Sequence, residues 1–199
     1  MKAHILGGCV ALLAAAVAAA PAAAEGFNGF QLGVTAGYNH DKVGPAFEDA
    51  ALTHAVRRDS AMVGIFAGYN ATIGTHVVIG GEVALNGPAD NKLRNDRGVV
   101  RTTIDPRLAV YISARAGYLV NDKTLLYVRA GCASIRTHTS VGQAAMISSS
   151  LDGWHAGAGV EYALGKHVNA RIEYRYTDVG GGKTSYERQQ ALVGLAYRF

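Results

Sequence analysis

The stretch that decides the fold is Arg188-Gln189-Gln190-Ala191-Leu192-Val193-Gly194-Leu195-Ala196-Tyr197-Arg198-Phe199. Read at period two, it sets Ala191, Val193, Leu195, Tyr197 and Phe199 on one face. Gln190, Leu192, Gly194, Ala196 and Arg198 fall on the other. Successive side chains of a strand point to opposite sides, so this strand separates two surroundings, one apolar and one small or polar.

Seven earlier stretches repeat the pattern. Residues 30–39 put Phe30, Leu32, Val34, Ala36 and Tyr38 on the apolar face, and residues 60–71 do the same with Ala61, Val63, Ile65, Ala67 and Tyr69. Strands follow at 77–86, 104–119, 125–135, 153–163 and 168–177, and the terminal stretch makes eight. The segments between them alternate long and short. Residues 40–59, 87–103, 136–151 and 179–186 are polar and aperiodic, whereas 72–75, 121–123 and 164–167 are tight turns rich in Gly, Asn and Asp.

The face opposite the apolar one carries the charges: Glu82, Arg107, Arg115, Arg129, Glu161, Arg171, Glu173, Arg175 and Arg198. A soluble eight-stranded barrel has the reverse arrangement, with an apolar interior and a polar exterior. Outward aromatics also cluster at strand ends. Phe30, Tyr69, Tyr118, Tyr162, Tyr197 and Phe199 belong to the end with short turns, and Tyr38, Trp154, Tyr174 and Tyr176 to the end with long loops. Two aromatic girdles flanking a Val/Ile/Leu/Ala band match the two interfaces of a bilayer. The expected fold is therefore all-β, an eight-stranded antiparallel up-and-down transmembrane β-barrel. Closure is required because a bilayer leaves no backbone group unpaired.

The amino-terminal end reads as an export signal. A short basic start, Met1-Lys2-Ala3-His4, precedes an Ala-rich apolar run, and Pro21-Ala22-Ala23-Ala24 offers a small-residue cleavage site. The expected organisation is a cleaved signal peptide at 1–24 and a single barrel domain at 25–199. A membrane anchor fits less well, because the apolar core is short and Ala-rich. Leu6-Gly7-Gly8-Cys9 has too few residues before it to be a lipoprotein box. After cleavage about 175 residues remain, with Cys132 the only cysteine, so no intramolecular disulfide is expected in the processed chain. The net charge of +4 for the whole chain, without basic runs interleaved with aromatics, is no nucleic-acid footprint.

Several motifs carry the resemblance to a known family: Arg115-Ala116-Gly117-Tyr118, Gly159-Val160-Glu161-Tyr162, Arg171-Ile172-Glu173-Tyr174-Arg175-Tyr176 and the closing Gly194-Leu195-Ala196-Tyr197-Arg198-Phe199. Ala-Gly-Tyr-Asn also recurs at 36–39 and 67–70. The whole processed chain resembles the small outer-membrane β-barrel proteins of Gram-negative bacteria, of the OmpA-like or opacity-like porin family. The resemblance implies location in the cell outer membrane, contact with its lipid and lipopolysaccharide, and delivery by the barrel-assembly machinery. Gly194, Tyr197 and Phe199 match the insertion signal of such barrels. Cys132 departs from the pattern, standing where an aromatic is common. No further domain is expected beyond the barrel.

The fold leaves function open. An eight-stranded barrel is just wide enough for side chains to fill, so the first reading is a lumen plugged by paired charges, in an envelope protein whose loops meet extracellular partners. The alternative is a small anion-preferring channel lined by Arg. A third reading is a lipid-modifying enzyme resembling the lipid A deacylases, with His155 or His138 and Ser140 or Ser148 to Ser150. Spacing does not support it, and no catalytic residue is expected. The histidines at 40, 54, 76, 138, 155 and 167 are scattered without metal-ligand spacing, and neither metal nor cofactor is expected. Gly180-Gly181-Gly182-Lys183 resembles a phosphate loop only in composition.

Overall fold

The computed structural model describes residues 27–43, 56–89, 102–141, 147–180 and 185–199. Residues 1–24, read as a signal peptide, lie outside them. The strands are β1 (Gly29–Val43), β2 (Val56–Ile73), β3 (Val77–Pro88), β4 (Thr102–Asn121), β5 (Thr124–Val141), β6 (Ile147–Ala163), β7 (Val168–Gly180) and β8 (Ser185–Arg198). Each pairs antiparallel with its neighbours in sequence, and β1 pairs with β8, from Gln31↔Arg198 to Val43↔Tyr186, so the sheet closes on itself. Closure leaves no free edge.

The faces alternate as the period-two reading expects. Leu32, Val34, Val63, Ile65, Val128, Val160, Ile172, Val193 and Leu195 are exposed on the outside. Gln31, Asn39, Glu82, Arg115, Arg129, Glu161, Glu173 and Arg175 are buried inside. A continuous apolar exterior around a charged interior is the inverse of a water-soluble protein.

The short connections are shaped by local chemistry. Gly74 sits at φ 66° in the β2–β3 turn, a left-handed conformation open to glycine at no steric cost. In the β4–β5 turn Asn121 Oδ1 accepts the backbone N–H of Lys123 at 2.9 Å, a side chain closing its own turn. The β4–β5 register shifts between Pro106 and Leu108, where proline removes a ladder donor and Arg107 becomes the extra residue of a bulge.

One expectation needs correction. The strands run further toward the long connections than 40–59, 87–103, 136–151 and 179–186 read as loops allowed. His40 pairs with Asp59 and Val43 with Val56, Arg136 pairs with both Leu108 and Ser150, and Gly180 pairs with Ser185. The cause is that hydrogen-bonded pairing needs no apolar face, and once the ladder leaves the bilayer both of its sides can be polar. Polar side-chain pairs replace grease there: His40 Nδ1 lies 2.5 Å from Asp59 Oδ1, and Lys42 Nζ lies 3.9 Å from Glu187 Oε2.

Candidate functional site: a charged lumen

The alternation that faces grease outward forces every second residue of eight strands into one narrow lumen, where charges must find each other. Glu82 on β3 is the hub. Its carboxylate accepts Arg171 Nη1 at 2.7 Å and Nη2 at 3.2 Å from β7, and Arg129 Nη1 at 3.0 Å from β5. Arg115 Nη1 from β4 stands 3.8 Å away. Glu173 on β7 is a second hub. It accepts Arg129 Nη1 at 2.9 Å, Arg175 Nε at 2.9 Å and Nη2 at 2.6 Å, and Tyr127 Oη at 2.7 Å. Arg129 therefore bridges both carboxylates, and its Nη2 also donates to Ser113 Oγ.

Below the hubs, toward the short turns, Glu161 on β6 accepts Arg115 Nη2 at 2.7 Å and Asn169 Nδ2 at 2.9 Å. The guanidinium planes rest on rings: Arg115 lies 4.2 Å from the Tyr127 centroid, Arg171 3.5 Å from Phe66 and Arg175 4.6 Å from Tyr111. Such contacts are strongest where water is excluded, and these side chains are 0–2% exposed wherever they form the ion pairs. Nearer the long loops Arg188 grips Asp41 with Nε at 2.7 Å and Nη2 at 3.1 Å, and its Nη2 meets Tyr186 Oη at 2.6 Å. A solvent-open cleft caps this end, lined in part by Asn39, Met62, Asn86, Ala109, Ile135 and Arg188.

Glycine makes room for the large side chains. A Cβ on Gly159 would lie 2.7 Å from Tyr127 Oη, so a bare backbone at that point lets Tyr127 lie across the lumen to Glu173.

The structure thus brings Glu82, Arg115, Arg129, Glu161, Arg171, Glu173 and Arg175 into one connected set of ion pairs. The side chain of Arg107 lies outside the described residues. Arg198 is separate: its guanidinium donates to the Lys166 carbonyl at the end of the barrel that bears the short turns. Tyr127, Ser113, Asn169, Phe66, Asp41 and Arg188 belong to the lumen contacts but were not singled out from the sequence. All six share the inward phase of the charged residues, Asp41 two places after Asn39 and Arg188 two places before Gln190, the one signal that could have found them.

The aromatics stand on the outer face, Phe30 at 66% exposure and Phe199 at 74% among the most open. Phe30 packs edge-on to Tyr69 at 4.9 Å, Tyr197 to Phe199 at 5.2 Å, and His76 and His167 stack on Tyr118 and Tyr197. Tyr162 faces Thr124 and Ala170 beside the short turns. Tyr38 and Tyr174 share a row through Ala191, and Trp154 contacts Tyr176 at 5.6 Å. Gly194 lies in β8 between Thr35 and Arg171.

Among the enzyme candidates, His155 is fully buried against the edge of Tyr111 at 5.2 Å. His138 and Ser148 are Cα partners across β5 and β6, with Asp105 opposite His138 on β4, but their side chains lie outside the described residues. Among the described residues no cluster of His, Cys, Asp or Glu could hold a metal ion.

A closed barrel with an apolar exterior and a charge-filled lumen defines a class, the membrane β-barrels. The chain belongs to the outer membrane protein beta-barrel domain family, whose model matches residues 9–199. It is 29% identical over 183 residues to the 25 kDa outer-membrane immunogenic protein of Brucella ovis, covering 88% of this chain and 78% of that one. The 31 kDa outer-membrane immunogenic protein of Brucella melitensis is 25% identical over 180 residues, covering 81% and 75%. Among solved structures, OprG of Pseudomonas aeruginosa superposes with a TM-score of 0.57 at 14% identity, covering 88% of this chain and 98% of that one. Ail of Yersinia pestis gives 0.54 at 15%, covering 86% and 99%, and Neisserial surface protein A gives 0.56 at 16%, covering 84% and 97%. At such identities these structures speak for the fold alone. The chain is an integral protein of the Gram-negative outer membrane.

Proposed function

We propose that this protein is a non-enzymatic component of the outer-membrane envelope, its lumen closed by salt bridges and its outward loops available to partners outside the cell. The observation that carries the reading is Arg129, which joins Glu82 at 3.0 Å to Glu173 at 2.9 Å and so ties β3, β5 and β7 across the barrel. Charges that bridge opposite walls of a narrow barrel leave no continuous water column for solute. The aromatic sets then serve as interfacial belts against outer-membrane lipid and lipopolysaccharide, and Gly194, Tyr197 and Phe199 as the signal read by the barrel-assembly machinery. Residues 1–24 direct export and are removed, so the amino terminus recovered from the outer membrane is Glu25.

The test is single-channel recording of the processed protein refolded into a planar bilayer, with folding verified by a heat-dependent gel shift. Silence from folded protein is expected. Steady anion-selective steps that change with Arg115→Glu or Arg129→Glu would overturn the plugged lumen in favour of an Arg-lined channel.

A further inference from the structure

Directly above the two carboxylate hubs, on the side of the long loops, the lumen contains donors whose acceptor is missing. Glu173 engages the Nε and Nη2 edge of Arg175 and leaves Nη1 on the other side without a partner. Tyr111 Oη and Thr177 Oγ1 are likewise unpartnered, as is at least one ring nitrogen of His155. These four residues are 0–1% exposed. They also adjoin one another: His155 and Thr177 are Cα partners, Tyr111 meets His155 edge-on at 5.2 Å, and Arg175 lies 4.6 Å from the Tyr111 ring centroid.

The charges lean the same way. Among the described side chains of the network four guanidinium groups, Arg115, Arg129, Arg171 and Arg175, face three carboxylates, Glu82, Glu161 and Glu173. One positive charge is left over, and Arg175 pairs with Glu173 alone and keeps Nη1 without a partner. The walls around Tyr111 are apolar, with Phe66, Ala133 and Ile135 in the same buried cluster. A surplus guanidinium in such surroundings is costly without a counter-charge. Unpaired buried hydroxyls add their own desolvation cost.

We infer that this layer is a binding site for a small inorganic anion, a chloride-sized halide held by Arg175 with the Tyr111 and Thr177 hydroxyls and bordered by His155. A monatomic anion accepts from several donors at once and offers no donor of its own, which is what this set lacks. Water neutralises nothing, whereas a halide supplies the missing counter-charge. Entry is from the loop-side cleft, whose lining includes Ala109 and Ile135 of the same cluster as Tyr111.

The experiment uses the processed chain refolded from urea into detergent with bromide as the halide. Crystals should give a bromide anomalous peak beside Arg175 Nη1. At fixed ionic strength, replacing a bulky organic anion by about 0.5 M chloride should raise the unfolding temperature of the gel-shifted form by roughly 2–4 °C. Tyr111→Phe and Thr177→Val preserve shape and should flatten that dependence. A halide-independent unfolding temperature with no anomalous peak in this layer, leaving water alone, overturns the site. That outcome does not touch the plugged lumen, which conductance tests separately.

Discussion

Removing the charge of Glu82 should expose how the lumen is held together. In Glu82→Gln the carboxylate that Arg171 contacts at 2.7 and 3.2 Å and Arg129 at 3.0 Å becomes a neutral amide. The three arginines do not suffer equally. Arg129 keeps Glu173 at 2.9 Å and Arg115 keeps Glu161 at 2.7 Å, while Arg171 retains no carboxylate in the described set. The cost is therefore that of one stranded buried guanidinium, about 3–5 kcal/mol for breaking such a pair. It is reduced by roughly 1 kcal/mol for the bond the glutamine oxygen still accepts. The expected loss is about 2–4 kcal/mol in urea unfolding from lipid vesicles, followed by the fluorescence of Trp154, the chain's single tryptophan. Glu161→Gln should cost less, because Arg115 still has Glu82 at 3.8 Å. The double variant Glu82→Gln/Arg171→Gln should lose less than its two parents summed, as partners in contact are not additive. A Glu82→Gln barrel within about 1 kcal/mol of the parent would refute the reasoning, because the pair would then be solvated rather than buried.

Three further outcomes follow from the geometry. Gly159→Ala places a methyl 2.7 Å from Tyr127 Oη and should push that ring off Glu173, costing about 1–3 kcal/mol in the same assay. Ile172→Arg, on the outer face at 68% exposure, should cost about 2–4 kcal/mol if it meets the middle of the bilayer, and unchanged stability would mean the face meets water. Phe199→Ser should lower the amount of protein in the outer membrane several-fold while the detergent-refolded chain keeps the parent's gel shift; parental levels in the membrane would remove Phe199 from the insertion signal.

The sequence carries the architecture because the bilayer writes itself on every residue. Val34, Ile65, Val128 and Ile172 alternate with Thr35, Phe66, Arg129 and Arg171, and each position had to be suited to lipid or lumen. Beyond the bilayer that pressure stops, which is why Asp41 and Lys42 read as loop although they are strand. Which arginine meets which carboxylate was equally invisible. Arg171 and Glu82 are 89 positions apart and meet only through the stagger of a closed sheet, which no period along the chain encodes. The rings beneath the guanidinium groups, Phe66 and Tyr127, shared the inward phase, yet as apolar or aromatic residues they drew no attention beside the charges.

The pairing of β1 with β8 has a kinetic consequence. Asp41 and Arg188 meet across 147 positions, and no subset of strands short of the full eight offers a sheet without raw edges. The loop-closure entropy falls due before the last ladder repays it, so the chain has no early resting place. Folding must wait until synthesis and transport are over, and until then two greasy margins stay ready to pair with any other chain they meet.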